Sequence, residues 1–223
     1  MAVPIEFLRS IPYFAGLGAN VLDAARQVAF EKRAERGEMV VFEDELPRAL
    51  FFVASGAVKV FKTSPDGKEQ ILSIARPGDS FNDVPVFDGG ASPAAAQAMG
   101  PVVLYGIGMD QVGDILRRYP ELTKNVVRVL AQRVRQLLAL VEDLSFRHVI
   151  GRVAKILLEY GDGRGSPRPR LTQQDIAAMA GTAREVVGRS LKSLEEDGMI
   201  RLERHRVVIT REEALRRLAA EPS

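Results

Sequence analysis

Leu171-Thr172-Gln173-Gln174-Asp175-Ile176-Ala177-Ala178-Met179-Ala180-Gly181 has a residue suited to cap a helix in its second place and ends with one suited to stop it. Thr172 is the N-cap candidate, because a threonine oxygen can accept from a first-turn amide; Asp175 adds negative charge where the helix dipole is positive. Gly181 ends the helix, since glycine enters a tight turn at little steric cost. A second helix begins around Thr182 or Ala183 and places Val187, Leu191 and Leu194 on one inward face. It stops at Asp197-Gly198. Met199–Leu202 and Arg206–Ile209 then read as two strands joined at Glu203-Arg204-His205. Upstream, Val149–Tyr160 reads as a helix, followed by the Gly-rich loop Gly161-Asp162-Gly163-Arg164-Gly165-Ser166-Pro167. Helix, tight turn, helix and hairpin together predict a winged helix-turn-helix.

On the face of the second helix opposite Val187, Leu191 and Leu194 stand Arg184, Glu185, Gly188 and Arg189, with Lys192 beyond them. A major groove admits one helix, whose first turns meet the base edges. An arginine can donate twice to guanine, and a glutamate can accept from the cytosine amino group. Gly188 leaves room for close approach to a duplex. Thr172, Gln173 and Gln174 could donate to phosphate. Arg204 and Arg206 make the wing basic, and His205 beside them could also touch phosphate. The competing reading is a solvated face on which Glu185 and Arg189 form an ordinary pair four residues apart.

Working outward, a helical pattern runs from about Asp110 to Leu144. Val127, Leu130, Val134, Leu137, Val141 and Leu144 recur at alternating intervals of three and four, and Leu138 widens the stripe. Arg128, Arg133, Arg135, Glu142 and Asp143 flank this seam. So narrow a stripe suits a partner helix in a parallel coiled-coil dimer, while packing on its own domain is the alternative. Residues 28–108 differ again. Short apolar runs such as Leu50-Phe51-Phe52-Val53, Val58-Lys59-Val60-Phe61 and Ile71-Leu72-Ser73-Ile74 are separated by turns at Ser64-Pro65-Asp66-Gly67, Pro77-Gly78-Asp79 and Asp88-Gly89-Gly90. That spacing predicts a β-barrel, roll or sandwich. The alternation in the second run sets Val58, Val60 and Lys62 on one face, and Ser64–Gly67 forms a hairpin tip.

The composition narrows the function. With 223 residues, 46% hydrophobic and 27% charged, the chain can bury a core without staples. Cysteine is absent, which excludes disulfides, thiolate catalysis, Cys-ligated zinc and Cys-held iron–sulfur clusters. His148 and His205 are the two histidines, too few for a multi-histidine metal site within one chain. No metal and no catalytic residue is expected. The patterns of a nucleophile–His–carboxylate set, a phosphate-cradling Gly-rich loop and HExxH are all missing, so the chain does not read as an enzyme. No apolar run is long enough to span a membrane, and the N-terminus lacks a signal pattern; a cytoplasmic protein without a membrane partner is expected. From Arg147 onward there are fifteen Lys and Arg against eleven Asp and Glu, whereas the rest holds sixteen against eighteen. The basic C-terminal part suits a polyanion.

These features together resemble the Crp/Fnr superfamily of bacterial transcription regulators. Phe52-Val53-Ala54-Ser55-Gly56-Ala57-Val58-Lys59-Val60, Gly67-Lys68-Glu69 and Pro77-Gly78-Asp79-Ser80-Phe81 look like the signature of the cyclic-nucleotide-binding fold. Arg184-Glu185-Val186-Val187-Gly188-Arg189 is similar to the recognition helix of the cyclic-AMP receptor branch, which reads a TGTGA-like half-site. The resemblance implies an α+β chain: an N-terminal cyclic-nucleotide-binding-like β-roll (jelly roll) over 1–109, a long dimerisation helix over 110–145, and the C-terminal winged helix-turn-helix over 146–223. It implies a homodimer on double-stranded DNA at a palindromic operator. The loop 161–170, with Arg164, Arg168 and Arg170, occupies the place where family activators touch RNA polymerase; a solvated linker before the helix-turn-helix is the alternative reading.

In cyclic-AMP sensors of this family an acidic residue contacts the ribose, and ten residues later an Arg-Ser pair holds the phosphate. The matching cassette, Gly78 to Ala94, has Asp83 in the acidic place but Pro93 and Ala94 in the other. Neither offers a charge, and Pro93 lacks an N–H. Leu137 and Leu138 stand where the family's adenine-contacting Thr-Ser pair would be. Cyclic AMP bound in the family's way is therefore not expected, nor any cofactor. Two expectations remain for the roll: no effector at all, or a less anionic small molecule held near Asp83, Val84, Val86, Phe87, Pro93, Ala94, Leu137 and Leu138. A third reading makes the chain a nucleotide-binding-like module acting on a protein partner.

Overall fold

The computed structural model describes residues 3–161, 170–203 and 206–221. The chain divides into two compact units, Met1–Lys62 with Leu72–Gln136 and Thr63–Ile71 with Leu137–Ser223. In chain order the elements begin with α1 (Ile5–Ser10), a 3₁₀ turn at Pro12–Phe14, and α2 (Ala19–Val28). Six strands follow: β1 (Ala29–Ala34), β2 (Met39–Val41), β3 (Ala49–Ser55), β4 (Val58–Thr63), β5 (Glu69–Ala75) and β6 (Ser80–Phe81). Next come α3 (Asp83–Asp88), β7 (Ala95–Ala98), β8 (Val102–Gly108), α4 (Met109–Arg118) and α5 (Leu122–Phe146). The C-terminal part holds α6 (Val149–Tyr160), α7 (Gln173–Ala180), α8 (Arg184–Glu196), β9 (Ile200–Glu203), β10 (Arg206–Ile209) and α9 (Glu212–Ala220).

Two four-stranded sheets form the roll, ordered β1-β8-β3-β6 and β2-β7-β4-β5. β3 shows why its run is continuously apolar. Phe51 and Val53 point into the cluster between the sheets, with Ala34, Val58, Phe81, Ala96 and Leu104. Leu50 and Phe52 point the other way, into a cluster with Leu8, Tyr13, Phe14, Leu22 and Val112 from the flanking helices. A strand buried on both faces has no polar side to show. Between the sheets, Phe51 and Phe81 stack with ring centres 5.4 Å apart. The expected turn at Ser64–Gly67 is present, closed by Gly67 N–H donating to the Ser64 carbonyl.

One expectation needs correction. The single helical stretch over 110–144 is two helices, interrupted at Tyr119-Pro120-Glu121. Pro120 has no amide hydrogen to give and bars the preceding residue from helical geometry, so α4 ends before it. The alternation in β4 has the expected form: Val58 and Val60 share the face that packs into the cluster between the sheets. On the other face Lys59 and Phe61 are buried as well, with the Lys59 amine 4.5 Å from the centre of the Phe61 ring.

The C-terminal helices share a core of Val153, Leu157, Ile176, Val187, Leu191, Leu194, Ile200 and Leu215. α6 has the predicted bounds. β9 and β10 pair antiparallel, with Arg206 opposite Glu203 and Ile209 opposite Ile200. Among the described residues, no helix is long and apolar enough to cross a membrane.

Candidate nucleic-acid interface

Thr172 caps α7 in a reciprocal box. Its hydroxyl oxygen accepts from Asp175 N–H at 3.1 Å, and the Asp175 carboxylate accepts from Thr172 N–H at 2.8 Å and from the hydroxyl at 2.7 Å. The hydroxyl is thus committed within the chain, while Gln173 and Gln174 stand exposed at the helix start. Gly181 closes α7 at φ +60°, where an added Cβ would lie 2.7 Å from Leu144 Cδ2. This turn delivers the chain to α8, whose N-cap is Ala183.

α8 buries Val187, Ser190, Leu191 and Leu194. Its opposite face exposes Arg184, Glu185, Arg189 and Lys192. Lys192 lies 3.7 Å from Glu196. Among the described residues no acid lies within pairing distance of Arg184 or Arg189, and Glu185 has no cation; the ordinary Glu185–Arg189 pair is not formed. A Cβ added at Gly188 would meet no atom within 4 Å. The protein's own packing makes no demand for glycine there. The wing is different: Arg206 lies 2.6 Å and Arg201 2.8 Å from Glu203, and these cations hold that carboxyl below its usual range. Glu195 accepts from Leu202 N–H at 2.7 Å, tying β9 to α8. Arg204 and His205, and most of the loop expected to meet RNA polymerase (162–169), lie outside the described residues.

α5 carries a row of exposed apolar side chains. Val127, Val134, Leu137, Leu138 and Val141 are 46–63% exposed, and Phe146, which the seven-residue pattern did not include, is 63% exposed. Leu130 departs from this row by packing partly against Val126, Val129 and the flanking-helix core, and Leu144 is half-buried.

The effector candidates scatter. Asp83 and Val86 are buried, Phe87 and Ala94 half-buried, and Val84, Pro93, Leu137 and Leu138 exposed. Val86 and Phe87 pack with the flanking-helix cluster, where Phe87 stacks on Tyr13 at 6.1 Å, and not with the cluster between the sheets. The turn into α3 is made by Asn82 at φ +65°, held by its own amide donating to the Ala49 carbonyl and by Ser92 Oγ donating to its oxygen. Asp83, 6% exposed, accepts from the Tyr13 hydroxyl at 2.8 Å and lies 3.4 Å from Arg133 Nε. Burial, and then the Asp83 charge, push the Tyr13 hydroxyl far above its ordinary range, so it stays a donor. Arg133 also donates to the Ser80 carbonyl, and it lines a small cleft of about 60 Å³ with Asp79, Gln132 and Gln136. Sequence reasoning missed Tyr13 and placed Arg133 only as a flank of the seam, because their meeting depends on tertiary packing. The carbonyl of Pro93 accepts from the Lys62 amine at 2.9 Å.

Comparison with known proteins agrees with this geometry. Residues 31–119 match the cyclic nucleotide-binding domain family, and residues 151–218 match the Crp-like helix-turn-helix domain family. The chain is 32% identical over 221 residues to the CRP-like cAMP-activated global transcriptional regulator of Mycobacterium tuberculosis, covering 96% of this chain and 99% of that protein. It is 31% identical over 195 residues to the cyclic AMP receptor protein of Thermus thermophilus, covering 87% and 90%. The crystal structure of the Thermus thermophilus catabolite activator protein is similar with a TM-score of 0.55 at 31% identity, over 93% of this chain and 98% of that one. With a nucleotide-binding-type roll, a helix-turn-helix whose second helix exposes a polar face, and relatives matched across almost their whole length, the chain belongs to the Crp/Fnr family of DNA-binding transcription regulators.

Proposed function

We propose that the protein works as a homodimer that reads a palindromic operator with TGTGA-like half-sites, without needing cyclic AMP. The observation that carries the DNA reading is the outer face of α8. Arg184, Glu185 and Arg189 have no partner in their own chain among the described residues, and Gly188 opens onto empty space. Two arginines without internal acceptors suit guanine edges, and Glu185 suits a cytosine-bearing position. The apolar row on α5 supports self-association: exposed leucines and valines at coiled-coil spacing gain by meeting a second copy. Two recognition helices would then enter successive major grooves about 34 Å apart.

Three features favour independence from cyclic AMP, although both relatives named above carry it in their names. Asp83 is already satisfied by Tyr13 and Arg133. Pro93 and Ala94 offer no charge or side-chain donor to a cyclic phosphate. Phe51 and Phe81 stack within the buried cluster between the sheets. An effector acts only through unequal affinity for two states, and packing can supply the same bias permanently. A second reading, activation by a different small molecule, draws on the cleft beside Gln132, Arg133 and Gln136.

Selection of fragments from a random DNA pool without added ligand tests both parts. Recovery of an inverted repeat supports the proposal; no enriched sequence at any salt concentration refutes it. Calorimetry with cyclic AMP and cyclic GMP completes the test. Tight binding of either nucleotide, with operator binding that requires it, overturns the effector-independent part.

A further inference from the structure

Asp143 sits in the last turn of α5, and its side chain is only 15% exposed. Arg147, just past the helix end, brings Nε to 2.7 Å from one carboxylate oxygen, and Lys155 of α6 donates to the other. The same Arg147 donates through a second nitrogen to the carbonyl of Ala219, near the end of α9. Arg152 completes the cluster. It donates at 2.8 Å to the carbonyl of Ala180 and at 2.6 Å to that of Arg147. Burial lowers the Arg152 pKa and the Asp143 charge opposes that shift.

One carboxylate therefore pairs with two cations, Arg147 and Lys155, and Arg152 joins them through the Arg147 carbonyl; Arg147 and Arg152 in turn hold the carbonyl ends of two helices. Cations suit these positions, since helix C-termini carry partial negative charge. Ala180 is the last residue of α7, and only Gly181 to Ala183 separate it from α8. On the other side, Asp143 follows Leu137, Leu138 and Val141 along the exposed stripe of α5. Every covalent route from that stripe to Arg184 and Arg189 passes through this cluster or beside it. The arrangement differs from a surface ion pair, because its members reach four separate elements.

We infer that the Asp143–Arg147–Arg152–Lys155 network is a positioning device. It fixes the end of the dimerising helix against the DNA-reading helices and so sets the half-site spacing that the dimer accepts. The inference rests on the proposed homodimer and operator, and it assigns these four residues no contact with DNA. A carboxylate shared by two cations is hard to replace: without it, three positive groups remain close together and the end of α5 loses its tie to α6.

The test uses the full chain and duplexes carrying inverted TGTGA half-sites, with the spacer lengthened one base pair at a time. The wild type should show one sharp optimum. Asp143→Asn should lose about tenfold in affinity at that spacing and far less at its neighbours, which flattens or moves the profile while the dimer mass is unchanged. A profile of unchanged shape, whether at full or uniformly reduced affinity, overturns the inference and leaves a stabilising role only. If Asp143→Asn does not fold, Lys155→Met keeps the Asp143–Arg147 pair and carries the same test. It should flatten the profile to a smaller degree, and an unaltered profile overturns the inference. A wild type that sediments as single chains, or that prefers no spacing, refutes the proposed function itself. A wild type with a sharp optimum that both variants share refutes only the network.

Discussion

Asp83 and the Arg184–Glu185–Arg189 face are both polar features set on short helical segments, and their surroundings are opposite. Asp83 is buried, accepts from Tyr13 and faces Arg133. The three residues on α8 are exposed and lack partners in their own chain among the described residues. Charge in a low-dielectric interior must be matched internally, and Asp83 is matched. Charge held in solvent without internal partners is free for an outside acceptor or donor. Both segments carry family signatures, so resemblance alone does not separate a group that serves the fold from one that serves a ligand. The count of internal partners does.

The strongest way to break this contrast is Asp83→Ala. Removing the carboxylate leaves a tyrosine hydroxyl and a guanidinium without their partner in a largely buried place. The expected loss is about 3 kcal/mol of folding stability, at the low end for broken buried pairs because Arg133 keeps 26% exposure. Urea unfolding measures it. A variant as stable as wild type would show that Asp83 is not a structural group, and would restore it as a ligand contact.

Arg184→Ala should do the reverse. Folding stability stays within about 0.5 kcal/mol, as for other exposed positions. Discrimination between operator and scrambled DNA falls by about 2 kcal/mol, the cost of one bidentate guanine contact. Titration of both duplexes at one salt concentration gives the ratio. If affinity for the two declines equally, Arg184 holds phosphate and reads no base.

Tyr13→Phe sharpens the account of the roll. It removes one oxygen and keeps the ring that stacks on Phe87 and meets Phe52 edge-on. A hydrogen bond to a charged group is worth about 1.5 kcal/mol at the lower end, and that is the expected loss on unfolding. Freed from the phenol, Asp83 would also be open to a ligand hydroxyl. Calorimetry with cyclic AMP on this variant therefore separates a site blocked by Tyr13 from one disabled by Pro93 and Ala94, and no binding is expected.

Much of the C-terminal half was legible because its signals are local. Thr172 with Asp175, Gly181, and the spacing of Val187, Leu191 and Leu194 each act within a few residues, and each has its expected place. The roll was legible as a class, since β3 and the turns around it carry strand-like runs. Its interior was less so. Tyr13 and Asp83 are 70 residues apart in sequence, and no period links them. Arg133 was visible only as a charge beside the seam, because α5 presents more than one working face. The Pro120 break was written in the chain, but the periodicity on either side of it concealed the end of α4.

The smallest expected effect bears on Gly188, where fold and function pull apart. Glycine in the exposed interior of a helix costs about 1 kcal/mol relative to alanine, because it loses more backbone freedom on folding. At Gly188 nothing among the described residues repays that cost, since an added Cβ would touch none of their atoms within 4 Å. Gly188→Ala should therefore stabilise the free protein by up to about 1 kcal/mol, read as a higher melting temperature. If α8 lies in a major groove with this face inward, the new methyl group takes the space a base edge or backbone needs, and operator affinity falls while the free protein gains. A variant that is more stable and binds the operator as tightly as wild type would mean that the groove meets another face of α8. Gain in one assay with loss in the other is a combination that a solvated, non-binding face does not produce.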